Sequence, residues 1–195
     1  RKIWLSQFDK NNVIDNNVNV VRFSDFVDRE LIHFSNCDNE RSLPGLDGLK
    51  VSQRKIVFAA FKKGLLHHEI KVAQFGAYAG ETTAYHHGEQ SLYDTIIRMA
   101  QNFVGMNNIN LLTPNGNFGE RSVGGKNAAS PRYIYTQLNN LSPLIFRKED
   151  DLVYDYVDEE GTIVEPVNYC PIIPMLLVNG SHGIGTGWST DIPQY

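Results

Sequence analysis

The chain has 195 residues, 42% hydrophobic and 21% charged, a globular composition that excludes a disordered polyelectrolyte. Its 18 Lys+Arg against 22 Asp+Glu give a formal charge of -4, a sum that argues against a nucleic-acid partner. Cys37 and Cys170 are too few for a disulfide framework and lack CxxC spacing, and the longest apolar run, around Ile172 to Val178, is broken by Pro174 and too short to span a bilayer. A chain that opens on Arg1 and closes on Tyr195 is expected to be a piece of a longer protein.

In chain order, an Asn-rich stretch (Asn11, Asn12, Asn16, Asn17, Asn19) reads as a solvated turn, followed by a helical segment in which Phe26, Leu31 and Phe34 share a face. Pro44, Gly45 and Gly48 make residues 41–50 a loop. Val51, Phe58, Phe61 and Leu65 then fall near helical spacing, with Arg54, Lys55 and Lys62 on other faces, and Gly64 is placed to end that helix. A connection through His67 and His68 leads to a small-residue helix over 71–79. A third helix follows Gly88, with Leu92, Ile96, Met99 and Phe103 spaced by four, three and four. Helix, short turn and small-residue helix outline a helix-turn-helix. Residues 111–130, with Pro114, Gly116, Gly119, Gly124 and Gly125, read as a long loop, and regular structure resumes over 133–138. Residues 162–164 and 167–169 read as short strands, and 172–178 as an apolar strand ending in the Asn179-Gly180 turn.

Charge is segregated. Residues 149–165 hold eight acids and no Lys or Arg, whereas residues 50–88 hold six Lys/Arg (50, 54, 55, 62, 63, 71), two acids and four of the six histidines. Without the acidic block the balance is 18 bases to 14 acids, or +4. The basic segment has the size of a patch that neutralises several phosphates, although a charged helix face is more often merely solvated.

Three constellations could carry chemistry. In Tyr85-His86-His87-Gly88-Glu89 the adjacent histidines diverge and the spacing is not HExxH, so zinc is disfavoured; a loop histidine can instead donate to a phosphoryl oxygen or relay a proton. Gly183-Ile184-Gly185-Thr186-Gly187 has no following Lys and makes a weak phosphate cradle. Its Ile184 is either an ordinary packed residue in a Gly-rich turn or an exposed wedge between base pairs. In Arg132-Tyr133 a phenol of ordinary pKa about 10 needs activation, which a neighbouring guanidinium supplies by neutralising charge on a phosphoryl group. Nothing in a chain with nine tyrosines selects this one by composition. The residues by themselves give a basic winged-helix surface and no identified reaction.

The ordered motifs go further. Asp38-Asn39-Glu40-Arg41-Ser42-Leu43-Pro44, Asp47-Gly48-Leu49-Lys50, Gln53-Arg54-Lys55 and Lys71-Val72-Ala73-Gln74 come first. Ala84-Tyr85-His86-His87-Gly88-Glu89-Gln90, Ala100-Gln101-Asn102-Phe103-Val104-Gly105, Gly124-Gly125-Lys126 and Ala128-Ala129-Ser130-Pro131-Arg132-Tyr133-Ile134 follow, and then Ile172-Ile173-Pro174-Met175 and Gly183-Ile184-Gly185-Thr186-Gly187-Trp188. Together they resemble, end to end, the breakage-reunion region of type IIA DNA topoisomerases of the eukaryotic kind.

The resemblance implies an α+β fold: a connector over 1–40 following a Toprim domain, a winged-helix DNA-cleavage domain with a short β wing over 41–160, and the start of a tower domain over 161–195. It implies an ATP-driven homodimer that cuts both strands of one duplex, passes another through and reseals. Tyr133 would be the nucleophile, Arg132 the transition-state cation, and His87 the contact to the scissile phosphate. Arg1, Lys2, Lys50, Tyr85 and His86 would contact DNA, with Arg54 and Lys55 beside them on the basic helix, and Ile184 would intercalate.

Mg2+ would be held by Toprim acids, which the absence of a DxD pattern places outside this segment, and ATP by an ATPase domain likewise elsewhere. Double-stranded DNA and a second copy of the chain are the expected partners, with no membrane. The alternative is a non-catalytic winged-helix DNA-binding module, against which an intact Arg132-Tyr133 and Ile184 both count. The Pro44-Gly45-Leu46-Asp47 loop is one residue shorter than the family's usual pattern, and residues 93–101 and 116–119 lean towards bacterial gyrase. That mixture suits a large nucleocytoplasmic DNA virus or a divergent protist, with action in the nucleus if cellular and in host cytoplasm or the virion if viral.

Overall fold

The structure, a computed structural model, describes residues 1–195. Its N-terminal part holds one turn, α1 (Lys2–Leu5), then α2 (Phe23–Phe26), which runs through a π-helical turn at Val27–Leu31 into α3 (Ile32–Ser42). Phe26, Leu31 and Phe34 are helical as expected, yet all three are exposed, so nothing in this chain covers that face.

The core is built on α4 (Val51–Lys63), α5 (Val72–Thr82) and α6 (Glu89–Ala100), with β1 (Ile70–Lys71), β2 (Leu112–Asn115) and β3 (Tyr135–Leu138). The Gln53 side chain accepts the Lys50 N–H at 2.8 Å to start α4, and Gly64, at φ 71°, ends it in the left-handed conformation that glycine adopts without penalty. Small residues let α5 approach α6 closely: a Cβ at Gly76 would collide with the Tyr93 ring. Leu92, Ile96 and Met99 turn inward as their spacing predicts, joined by Ile97 and Ala100, whereas Phe103, expected on the same face, lies beyond the end of α6. The strands form an antiparallel sheet in the order β1-β3-β2, with Tyr135 opposite both Lys71 and Asn115. Three helices closed by a small antiparallel sheet give the expected winged-helix arrangement of an α+β fold. A core of 23 buried residues, with Ile56, Phe75, Leu92, Ile96, Leu112 and Ile134 among its most buried, fills the space between helices and sheet.

The remainder comprises α7 (Ser142–Ile145), the hairpin of β4 (Tyr156–Glu159) and β5 (Thr162–Pro166), α8 (Met175–Val178), and a second hairpin of β6 (Ser181–Ile184) and β7 (Ser189–Ile192). Two local expectations fail here. Residues 172–178 are not a strand, because Pro174 precedes a helical turn and its carbonyl accepts the Leu177 and Val178 N–H groups. Residues 167–169 pair with no strand; the Tyr169 N–H donates at 3.0 Å to the Asp47 carboxylate. Upstream, the stretch 111–130 is not all loop either, since it contains β2.

The largest departure concerns α4. Its buried stripe is Ile56, Val57, Ala59 and Ala60, and beside them Arg54 (6% exposed) and Lys55 (5%) point inward. Arg54 reaches Asp47 through Nε at 2.6 Å and an Nη at 2.9 Å, and the Leu49 carbonyl at 3.0 Å. Lys55 Nζ lies 2.8 Å from the nearer Glu165 carboxylate oxygen and 2.8 Å from the Thr83 carbonyl. Neither cation is free to meet DNA, which corrects the expectation that they contact it: a charge four or five residues inside a packed helix is spared desolvation only by such partners. Replacing Lys55 by Ala strands the Glu165 carboxylate and is expected to cost about 3–5 kcal/mol in urea denaturation. The pair Lys55→Met/Glu165→Leu should recover most of that loss; a single Lys55→Ala variant as stable as the parent would contradict the buried pairing.

Candidate nucleic-acid interface

Tyr133 stands on a ledge made by the segment that enters β3. Ser130-Pro131-Arg132-Tyr133 forms a turn closed by the Tyr133 N–H donating to the Ser130 carbonyl at 2.9 Å, with Pro131 in the position where its fixed φ suits a turn. Val72 and Ala73, the first two residues of α5, donate their N–H groups to the carbonyls of Ile134 (3.0 Å) and Pro131 (3.1 Å). Helix-terminal donors that lack intrahelical partners thereby stitch down both ends of the turn. Ile134 is sealed in the core, and Tyr133 between these anchors is 70% exposed. The Arg132 guanidinium carbon lies 5.6 Å from the Tyr133 ring centroid, and its Nε reaches Ser130 Oγ at 3.4 Å. The pair is anchored at its base, outward-facing and free of acidic partners, so phenol and guanidinium are both open to solvent.

Tyr85, His86 and His87 follow α5 in a turn that contains strain. Ala84 has φ 48°, a left-handed value that costs a non-glycine residue about 1–3 kcal/mol. Lys55 Nζ holds the preceding Thr83 carbonyl, and the Tyr85 N–H donates to the Gly80 carbonyl at 3.0 Å, so the conformation is fixed from both sides. Tyr85 OH pairs with Ser91 Oγ at 2.7 Å, and its ring meets His87 edge-on at 5.2 Å. His86 and His87 are exposed, with His86 Nε2 at 4.0 Å from a Glu159 oxygen. These residues line a cleft of about 710 Å³ with Arg41, Ser52 and Thr95. Ser52 and Thr95 also line a second cleft of about 330 Å³ containing Lys50, Arg98 and His182, so the two make one trough across the N-terminal end of α4.

Lys50 donates from Nζ to the His182 carbonyl at 2.7 Å, and burial, then the nearby Arg98 charge, holds its pKa below the ordinary lysine value. Sequence pattern does not single out Arg98; its one signal is a cation on the face of α6 opposite Leu92, Ile96 and Met99. At the far side of His182, Ile184 ends β6 with 70% of its surface exposed, so it is not a packed turn residue. Arg1 and Lys2 sit beside the same hairpin, with Lys2 Nζ 3.8 Å from the Trp188 ring centroid and Arg1 Cβ against Gly187. Tyr133 and Arg132 line neither cleft.

The family described as DNA gyrase/topoisomerase IV matches residues 41–195. The chain belongs to that family. The C-terminal associated domain of TOPRIM matches residues 1–39, the stretch expected to be a connector. Eukaryotic relatives are similar throughout: the DNA topoisomerase 2 of Saccharomyces cerevisiae is 56% identical over 196 residues, covering 100% of this chain and 14% of the relative. That of Arabidopsis thaliana is also 56% identical, with 100% and 13% covered. The crystal structure of the Plasmodium falciparum topoisomerase II DNA-binding, cleavage and re-ligation domain superposes with a TM-score of 0.88 at 49% identity, covering 100% of this chain and 26% of that one. The chain thus spans about one-seventh of the curated relatives it matches.

Within this gyrase/topoisomerase IV family member, the Tyr133 ledge depends on one glycine. Gly116 has φ 112°, and a Cβ there would lie 2.8 Å from Ile134 Cγ2. Gly116→Ala is expected to cost about 1–3 kcal/mol through backbone strain alone and to displace the Ile134 anchor. Thermal denaturation, with amide exchange read at Val72 and Ala73, checks both effects.

Proposed function

We propose that this chain is the DNA-gate segment of an ATP-dependent type II topoisomerase, a homodimer that breaks both strands of one duplex, passes a second duplex and religates. The observation that carries the reading is the exposed Tyr133 beside the Arg132 guanidinium on a ledge stitched to the N-terminus of α5. In this reading the Tyr133 oxygen attacks a backbone phosphorus, forming a 5′-phosphotyrosyl ester as the bond to the 3′-oxygen breaks and that oxygen takes a proton. Arg132 stabilises the charge on the pentavalent transition state. The ester keeps the phosphodiester's bond energy, so the 3′-hydroxyl reverses the step without a new energy source.

His87, with His86, contacts the scissile phosphate from the histidine turn. Lys50, Tyr85, Arg1 and Lys2 hold the duplex backbone, to which Arg98 is added by its place beside Lys50. Ile184 enters a base step and kinks the gate duplex. No three His, Cys, Asp or Glu side chains converge in this chain. Mg2+ in this reading is supplied by Toprim acids, and ATP is bound by a further domain of the parent protein. No helix is long and apolar enough to cross a membrane. The place of action proposed is the nucleus for a cellular source, or host cytoplasm or the virion for a viral one.

In the parent enzyme, Tyr133→Phe is expected to abolish the covalent protein–DNA complex, read by denaturing gel after detergent trapping, while leaving non-covalent duplex binding within about twofold, since one exposed hydroxyl is lost. Cleavage surviving in that variant would shift the role to Tyr135 and overturn the assignment. The isolated 195-residue chain mixed with duplex and Mg2+ is expected to yield no adduct, because the metal ligands come from elsewhere; an adduct would refute that division of labour.

A further inference from the structure

The hairpin that carries Ile184 is fastened to α3. Asn39 Oδ1 accepts the Thr186 N–H at 2.7 Å, and Asn39 Nδ2 donates to the Thr186 carbonyl at 3.1 Å, so one carboxamide occupies both backbone polar groups of one residue. A carboxamide is the side chain that offers an acceptor and a donor side by side; a carboxylate would keep the first contact and set oxygen against oxygen at the second. Glycines make this approach feasible. A Cβ at Gly185 would fall on Asn39 Oδ1, and one at Gly183 on the Ser42 carbonyl of the same helix. The turn closes on itself through the Gly185 N–H donating to the Trp188 carbonyl at 2.9 Å, and Lys50 Nζ holds the His182 carbonyl at the hairpin's base. Ile184 therefore projects from a turn whose backbone is gripped on both sides of it, while its own side chain stays exposed.

We propose that Asn39 is a positioning residue for DNA bending: by clamping Thr186 it fixes the angle at which Ile184 enters the duplex, so the bend depends on α3. The proposal rests on the reading of Ile184 as the kinking residue. Its physical basis is that unstacking a base step costs a few kcal/mol, which a wedge on a mobile turn would not recover because the turn would yield first. A turn docked on a helix transmits the load. Asn39 is half-buried in α3, a position where an interior Asn has poor helix propensity and no capping role, which its contact with Thr186 explains.

The test uses the dimeric parent enzyme and a gate-length duplex carrying a fluorophore at each end, with energy transfer reporting the bent fraction. Ile184→Ala is expected to remove the bent population. Asn39→Ala is expected to lower the bent-to-straight ratio about tenfold, the loss of two hydrogen bonds of ordinary worth. Asn39→Asp, which keeps the acceptor alone, should fall between. Gly185→Ala should impair bending in the parent background and add little to Asn39→Ala, since the side chain it strikes is then gone. Cleavage of a nicked, pre-kinked duplex should be unchanged in Asn39→Ala, with the melting temperature lowered by no more than two hydrogen bonds account for, separating positioning from unfolding. Normal bending by Asn39→Ala alongside lost bending by Ile184→Ala would overturn the clamp and leave the wedge standing. Normal bending by Ile184→Ala would overturn the wedge reading and the clamp with it. An Asn39→Ala defect that persists equally on pre-kinked DNA would mark a purely structural role and likewise overturn the proposal.

Discussion

The loop before α4, the histidine turn and the base of the Ile184 hairpin are all held by cations at the N-terminal end of α4. Asp47, fully buried, accepts from two Arg54 nitrogens and from the Leu49 and Tyr169 backbone N–H groups. Such a set gives a fully buried carboxylate the hydrogen bonds that burial would otherwise deny it. At the next residue, Lys55 joins Glu165 of β5 to the Thr83 carbonyl at the end of α5. Lys50, at the start of the helix, reaches the His182 carbonyl of the second hairpin. Three cations on one end of one helix thus fix the loop before it, the histidine turn and the hairpin bearing Ile184. Buried ion pairs are weak contributors to net stability when compared with apolar replacements, but they tolerate few alternative geometries. Position is what the trough over α4 requires, since its side chains come from segments as distant in sequence as Lys50, His87 and His182.

The same logic explains how exposed groups remain ordered. Tyr133 and Ile184 each lie more than two-thirds in solvent, where packing cannot hold them. Each is instead flanked by backbone that is held: Tyr133 by the first N–H groups of α5 and the buried Ile134, Ile184 by the contacts of His182 and Thr186. An exposed side chain gains its precision from the shell behind it, and here that shell is mostly main-chain hydrogen bonding.

Local pattern reaches much of this. The spacing of Leu92, Ile96 and Met99 gives α6 correctly, and Gly64 ends α4 where expected, because both signals are complete within a few residues. The Arg132-Tyr133 pair and the Ile184 turn are legible as motifs, and Tyr133 and Ile184 are both exposed. The inward turn of Arg54 and Lys55 is not legible, because their partners Asp47 and Glu165 lie 7 and 110 residues away and periodicity assigns cations to solvent by default. The strand expected over 172–178 fails for the opposite reason: apolar content outweighs Pro174, whose stereochemistry starts the helical turn. Asn39 sits within a motif and Arg98 on the polar face of α6, but neither is assigned a partner by pattern until the fold places their neighbours.

These placements change what the charge distribution means. Of the six cations between residues 50 and 88, Arg54 and Lys55 are neutralised inside the protein, one of them by Glu165 from the acidic block itself. Lys62 and Lys63 lie at the other end of α4, about 18 Å from Lys50 by helix rise, where they suit the helix dipole and stand over Phe58 and Tyr78. The sixth, Lys71, lies on β1 with Nζ 5.9 Å from the Tyr135 ring centroid, and the apparent basic face therefore dissolves. What remains over the trough is Lys50 with Arg98 and Arg41, supplemented by Arg1 and Lys2 beside the Ile184 hairpin and by Arg132 on its ledge. These cations come from separated segments and are gathered by folding, so neither the net -4 nor the local run of lysines measures the surface a phosphate backbone would meet.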